Sequence, residues 1–457
     1  MRHMKAPILM KNRKLRTERK LQGWSQAKLA KVLGVTTRTV IRWEQGVAMP
    51  QPNYRKKLGT LFGKTAQELG LLWDVDENDE MQEALSSVSQ LPAPDVSVQP
   101  SLLADPTIPQ TLGHISSLVG RTSLFKQVKQ RLLEASSLTF TTLSGLPGVG
   151  KTTLAVALAM DQEVQSRFRD GILWAPLGPQ PHVLGQLTRW GTLLGVVPSD
   201  VANPESQQAW GQALRSAIGN RQILLVIDDA WTAEDALALH IGGTHCAYLL
   251  TTRQPQMAFP FAERRSCVIP PLEEADGLVL LAHFVPQLVL QDPEGARSLV
   301  QVMGSLPLAL TLMGKYLASS TFTGHLWPLR AALAQLHETQ EHLRINILSA
   351  SGEGWTNLAG NASLSLYAVI AICDQQLSQQ AYAALYALAV FPPKPQSFSE
   401  EAALAMSQQP RELLDTLQDA GLLEYWGPSR YSLHQTVADY VRARAKPQWH
   451  NSNQIAL

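Results

Sequence analysis

Nine residues, GLPGVGKTT at 145–153, constrain the fold of this 457-residue chain more than any other stretch. Three glycines let consecutive backbone N–H groups turn inward and converge on one anion. The loop follows the apolar run LTFTTLSG and opens the run TTLAVALAM. A strand therefore delivers the chain to the loop, and the loop feeds a helix N-terminus, whose free amides and dipole favour a phosphate. Gly145-x-x-x-x-Gly150-Lys151-Thr152 has the spacing of a Walker A loop. Its expected phosphate contacts are Gly145, Gly148, Val149, Gly150, Lys151, Thr152 and Thr153. Lys151 adds a point charge for the β- and γ-phosphates, and the Thr152 hydroxyl is a ligand for Mg2+.

The second acidic element is QILLVIDDAW, in which a buried strand carries Asp228 and Asp229 to its C-terminal end. Ligands gather at that end of open α/β sheets. Asp228 is placed to hold Mg2+ through water, and Asp229 to polarise an attacking water. With LTFTTLSG, GILWAPLG, AYLLTTR and SCVIPP this makes five apolar runs separated by helical stretches. The pattern predicts a parallel five-stranded sheet in an α/β P-loop domain over 113–270. Beyond Pro271 the strand signals give way to a helical domain at 271–350. Residues 351–445 read as a smaller, winged-helix domain in which LEYWGPSRYSLH forms a two-stranded wing, followed by a tail at 446–457.

Charge divides the chain. The whole carries a formal charge of +1, yet residues 1–73 hold 16 Lys and Arg against three acids, so the remainder is acidic by 12. A basic head suggests a nucleic-acid partner, since Lys and Arg replace counterions along phosphates. Between head and sheet lies a stretch at 74–112 with five Pro, five Ser and eight acids, and no Lys or Arg occurs between Lys64 and Arg121. That composition predicts a linker. Three cysteines without a CxxC pair point to a reducing compartment, and no apolar run reaches the length of a membrane span or forms a secretory signal. Histidines show no metal-ligand spacing, so no zinc site is expected. A cytoplasmic protein without membrane contact follows.

Within the head, SQAKLAKVLGVTTRTVIRWEQG at 25–46 reads as two helices joined by a tight turn at Gly34, with Ser25 and Thr36 as caps. Leu29, Ala30 and Leu33 form one apolar face, and Val35, Val40 and Trp43 the other. Ser25-Gln26, Leu29-Ala30, Gly34-Val35 and Trp43-Glu44-x-Gly46 resemble the lambda-repressor-like (Cro/cI, XRE) helix-turn-helix family. The resemblance covers 11–73 and implies an all-α domain that binds double-stranded DNA. Gln26 would touch a phosphate, and Thr36, Thr37, Arg38 and Arg42 would face base edges, where the Arg fork matches guanine. Glu44 is expected to pair with Arg16.

Further pieces, in order, make 113–445 resemble the NB-ARC proteins of the STAND ATPase class. LVGRTSLFKQVKQRL at 118–132 is similar to the segment that precedes the P-loop there, which implies Val119, Gly120 and Arg121 beside adenine. FRDGILWAPLG matches the second strand, and LLTTR at 249–253 the sensor strand, with Arg253 reaching the γ-phosphate. GSLPLAL at 304–310 matches the GLPL motif, with Pro307 against the base. SLHQTVADY at 432–440 stands where the family has MHD, with His434 on the β-phosphate of ADP and Gln435 at the aspartate position.

The resemblance implies a multidomain switch between ADP and ATP whose output is DNA binding. Lys151, Asp229 and Arg253 would support at most slow hydrolysis, and self-association is implied for the ATP state. Family members usually continue into a repeat array; this sequence ends at KPQWHNSNQIAL, which leaves room for a separate sensor protein. Two other readings stay open: a defence-type oligomerising scaffold with a docking head, and a plain turnover ATPase.

Overall fold

The computed structural model describes residues 13–33, 35, 40, 43–44, 50, 52–65, 69, 103–109, 118–134, 139–254, 256, 266–322, 329–349, 361–394, 396–427 and 429–444. The chain divides into two compact units, Met1–Gln99 and Pro100–Leu457.

The first unit holds α1 (Arg13–Leu21), α2 (Gln26–Leu33) and α3 (Pro52–Phe62). Ser25 Oγ accepts the Lys28 amide at 3.1 Å, the expected cap on α2. Leu29, Ala30, Leu33, Val35, Val40 and Trp43 are all buried, in one core with Leu15, Tyr54, Leu58, Phe62 and Leu69. The predicted partner of Glu44 is corrected: Arg19, not Arg16, meets it, with Nε at 2.5 Å from Oε1 and a second bond at 3.0 Å to Oε2. The physical reason is helical phase. Arg19 lies four residues after buried Leu15 and shares its inward face, whereas Arg16 is exposed. Thr36, Thr37, Arg38 and Arg42 lie outside the described residues.

The second unit opens on β1 (Leu103–Ala104) and α4 (Thr122–Leu133), then β2 (Thr139–Ser144), α5 (Lys151–Ala159) and α6 (Gln162–Arg167). There follow β3 (Gly171–Pro176), α7 (Val183–Leu194), α8 (Gln207–Ile218), β4 (Ile223–Ala230), α9 (Ala233–Ala238), β5 (Ala247–Thr252) and β6 (Ser266–Val268). The sheet order is β1-β3-β4-β5-β2-β6, and all its pairs are parallel. All five predicted strands are present. Every residue of β3, β4 and β5 is buried, which is why these strands read as continuous apolar runs. Leu224 and Val226 point into one core, Leu225 and Ile227 into the other.

The sixth strand corrects the linker. Leu103 and Ala104 pair with Gly171 and Ile172 at the sheet edge. Asp105, buried, fastens this strap: Oδ2 accepts the Trp174 amide at 2.8 Å, and Oδ1 accepts Arg189 at 2.6 Å and the Thr107 amide at 2.9 Å. Leu103 and Ala104 thus belong to the sheet and 105–109 to the same unit, because a buried carboxylate here finds donors enough to offset its desolvation.

Helices α10 (Glu274–Phe284), α11 (Pro286–Gln291), α12 (Pro293–Val302), α13 (Pro307–Phe322) and α14 (Leu329–Ser349) come next. Last are α15 (Asn361–Gln375), α16 (Gln379–Leu388), β7 (Phe398–Ser399), α17 (Glu400–Ser407), α18 (Arg411–Asp419), β8 (Glu424–Gly427), β9 (Arg430–Ser432) and α19 (Gln435–Arg444). The expected hairpin is there as antiparallel β8 and β9, and β7 adds a third strand beside β9. One hydrophobic core runs without a break from Leu224 and Val226 of the sheet to Val437 and Val441 of α19.

Candidate nucleotide-binding site

The loop at 145–150 joins β2 to α5 and lies under two later modules. Gly148 has φ of 75°, and a Cβ there would stand 2.9 Å from Leu308 Cβ and 3.4 Å from Leu366 Cδ2. The Leu308 amide, in the first turn of α13, donates to the Gly148 carbonyl at 3.2 Å. Only glycine permits both this backbone conformation and this approach. Pro307 is partly buried at the first position of α13. Val149 is fully buried, Thr153 partly so, and Gly150 caps α5 with φ of 100°.

Lys151 folds back on its own loop, with Nζ 2.8 Å from the Gly145 carbonyl and 3.0 Å from that of Leu146. Burial first, and then the Arg253 cation, lowers its ammonium to about 8, against opposition from Asp229 and Asp228. A lysine held this way carries a charge that a phosphate would stabilise.

At the end of β4 the ladder with β5 shifts register between Ile227 and Ala230, and Asp229 adopts φ of 56°. This irregularity turns two successive carboxylates toward the loop. Asp228 Oδ1 accepts Thr152 Oγ1 at 2.9 Å and Thr251 Oγ1 at 2.7 Å, while buried Oδ2 has no hydrogen-bond partner. Burial raises its carboxyl to about 6, and Asp229 adds to the rise. A hydroxyl and an unsatisfied carboxylate oxygen side by side fit a small, hard cation that takes its remaining ligands from water and phosphate. Among the described residues no cluster of three or more His, Cys, Asp or Glu offers an all-protein metal cage.

Arg253 is already engaged. Its Nε donates to Asp229 Oδ1 at 2.9 Å and its second nitrogen reaches Oδ2 at 3.4 Å. Trp231, missed in the sequence, donates Nε1–H to the same Oδ2 at 3.2 Å. The last module contributes His434. Its Nδ1 accepts the Thr436 amide at 3.2 Å. Burial, then the Lys394, Arg253 and Lys151 cations, push it well below the usual histidine range, so the ring is neutral. With Nδ1 an acceptor, the proton resides on Nε2, which makes it a donor suited to a phosphate oxygen. Gln435 bonds Asp439 at 2.8 Å.

Arg121, expected beside adenine, has its side chain engaged with the backbone. Its guanidinium is buried and donates to the Pro270 carbonyl at 2.6 Å and the Val149 carbonyl at 3.4 Å. A cation with two backbone acceptors in reach is a tie between the loop and the end of the sheet. Val119 and Gly120 stay partly or fully exposed beside it. In the first unit Gln26 Nε2 donates to Glu44 Oε2 at 2.8 Å.

Fold and loop together define a nucleotide-binding P-loop protein with a parallel sheet. Residues 121–290 match the NB-ARC domain family, and residues 15–69 match a helix-turn-helix family. The second unit thus carries an NB-ARC domain, and the first a helix-turn-helix domain. It is 28% identical over 407 residues to the regulatory protein AfsR of Streptomyces coelicolor, a match covering 83% of this chain and 38% of the relative. With the regulatory protein AfsR of Streptomyces griseus it shares 28% over 395 residues, again 83% of this chain and 38% of the relative. The chain thus spans about two fifths of the length of these relatives. A solved STAND protein with a tetratricopeptide repeat sensor, from Pyrococcus horikoshii, is similar at 15% identity with a TM-score of 0.45, over 72% of this chain and 43% of that one. No described helix is long and apolar enough to cross a membrane.

Proposed function

We propose that this protein is an ATP/ADP-dependent switch that controls sequence-specific DNA binding, and hence a transcriptional regulator. The observation that carries the reading is convergence. The loop carrying Lys151 is touched by Leu308 of one later module and Leu366 of the next, and Lys151 and Arg253 both act on His434. A nucleotide held there would contact every module of the second unit. The similarity to two regulatory proteins and the helix-turn-helix match support the DNA-binding output.

Roles follow from chemistry. The amides of Gly148 to Thr153 and the Lys151 ammonium would hold the phosphates, and His434 Nε2–H would donate to the β-phosphate. Thr152 and Asp228 would hold Mg2+, which neutralises phosphate charge when bound. Val119, Gly120, Arg121 and Pro307 would border the base. Arg253 would register a γ-phosphate, and doing so means leaving Asp229. Inverting a 1:99 equilibrium takes about 5.5 kcal/mol of differential affinity. Charge-assisted hydrogen bonds at roughly 1.5–3 kcal/mol each supply that with two or three exchanged. Asp229 held by Arg253 and Trp231 is also poorly placed for steady turnover, which favours a switch with slow hydrolysis as its reset.

On DNA, Gln26 would position the head on a phosphate, with Thr36, Thr37, Arg38 and Arg42 as the base readers. Self-association in the ATP state would raise the effective concentration of heads. A separate sensor protein would supply the trigger. The test is binding to genomic fragments, with sedimentation in parallel, in ADP and in a non-hydrolysable ATP analogue. Tighter, oligomeric binding in one nucleotide is expected; equal affinity and equal mass in both would refute nucleotide control.

A further inference from the structure

Arg253 is gripped from more directions than Asp229 alone. The Trp231 ring lies under the guanidinium, 5.7 Å from its carbon, while the same indole donates to Asp229 at 3.2 Å. One side chain thus orients both members of the pair. From the last module comes Asp439, partly buried on α19, with its carboxylate fixed by Gln435 at 2.8 Å. Asp439 interacts electrostatically with both Arg253 and Asp229, so the pair held by Trp231 also feels a carboxylate from the last module. Tyr367 of α15 senses the same two groups, Asp439 and Arg253.

We propose that Trp231 and Asp439 are positioning residues that make the site prefer a diphosphate over a triphosphate by keeping Arg253 on Asp229. The inference rests on the nucleotide-binding reading above. A diphosphate leaves the arrangement intact. A third phosphate gains Arg253 only after the hydrogen bonds to Asp229 break and the cation leaves the indole. It also brings negative charge toward the carboxylates of Asp229 and Asp439, which Arg253 would no longer offset. Each cost falls on the triphosphate alone. Gln435 contributes by fixing the Asp439 carboxylate, so the amide at this position serves the same device. Neither Trp231 nor Asp439 needs to touch the nucleotide; both act through Arg253.

The experiment measures dissociation constants of the full chain for ADP and for a non-hydrolysable ATP analogue, with Mg2+, by calorimetry. Asp439→Asn and Trp231→Leu are expected to tighten the ATP analogue about tenfold, the first by removing a nearby negative charge and the second by removing the cation–π contact, while ADP shifts less than about twofold. Trp231→Phe keeps the ring and loses the N–H, so its effect should be about threefold. In an Arg253→Gln background the same changes should leave the ratio of the two constants unmoved, since their means of action is gone. A ratio unchanged in the single variants overturns the proposal. So does an equal shift for both nucleotides, or an effect that persists without Arg253. Asp439→Ser makes the same prediction if the asparagine variant does not fold. Failure of the unaltered chain to bind either nucleotide would sink the underlying reading, and the unaltered chain alone tells that failure from the others.

Discussion

Each unit of this protein buries an arginine against a carboxylate, and the two pairs are finished differently. In the head, Arg19 meets Glu44 through two bonds, its remaining nitrogen reaches the Trp24 carbonyl at 2.6 Å, and Gln26 completes Glu44. Side-chain exposure is 7% and 2%, so neither group has water to fall back on. In the second unit Arg253 and Asp229 are 18% and 9% exposed, beside Lys151, whose ammonium burial disfavours, and a carboxylate oxygen on Asp228 that bonds to nothing. The first pair is closed on itself and serves as a fastener. The second stands among charges that a ligand would rearrange, as the proposed switch requires. Burial and pairing look alike in a contact list; what separates them is whether the neighbours are satisfied.

The comparison breaks most sharply at Glu44. Glu44→Ala strands a buried guanidinium and should destabilise the head by about 3–5 kcal/mol. Hydrogen exchange in the intact chain would show residues 13–69 losing protection while the sheet keeps it. Next comes Lys151. A lysine with a folded value near 8 against 10.5 binds fewer protons folded than unfolded over that interval, so its burial penalty is full below about pH 8 and fades toward 10.5. Nucleotide-free Lys151→Met should therefore be more stable than the unaltered chain at pH 7, by up to about 3 kcal/mol, with the gap closing as pH rises to 10.5. Denaturant titrations across that range check it; a gap that widens would contradict the assignment.

Asp105→Ala should cost about 1–3 kcal/mol, because the Trp174 amide loses its acceptor, and exchange at that amide reports it. Asp229→Ala is expected to cost about 1 kcal/mol or less, since Arg253 retains solvent and the Trp231 face. A loss as large as that at Glu44 would erase the distinction between fastener and switch.

Much of this was legible because it depends on local pattern. Five apolar runs bounded by Gly, Pro or Asp became five parallel strands, and the six apolar positions named in the head all went inside. The strap did not show, because two paired residues inside an acidic, Pro-rich stretch carry no periodic signal and the burial of Asp105 depends on Arg189, 84 residues away. Arg19 was readable in principle from Leu15, one helical turn earlier. Trp231 had a fainter cue, an aromatic two residues after a buried acid pair. Asp439 had none: its electrostatic influence on Arg253 depends on where α19 packs, far along the chain.

The strap has one further consequence. The polypeptide arriving from the head enters the sheet at Leu103, alongside Gly171 at the start of β3. Just past the other end of β3, the Leu177 and Gly178 amides donate to the Asp228 and Asp229 carbonyls at 3.0 and 3.1 Å. A single strand, β3, thus joins the edge strap to the backbone that carries the acid pair, so loosening the strap would be felt along the same strand that braces Asp228 and Asp229.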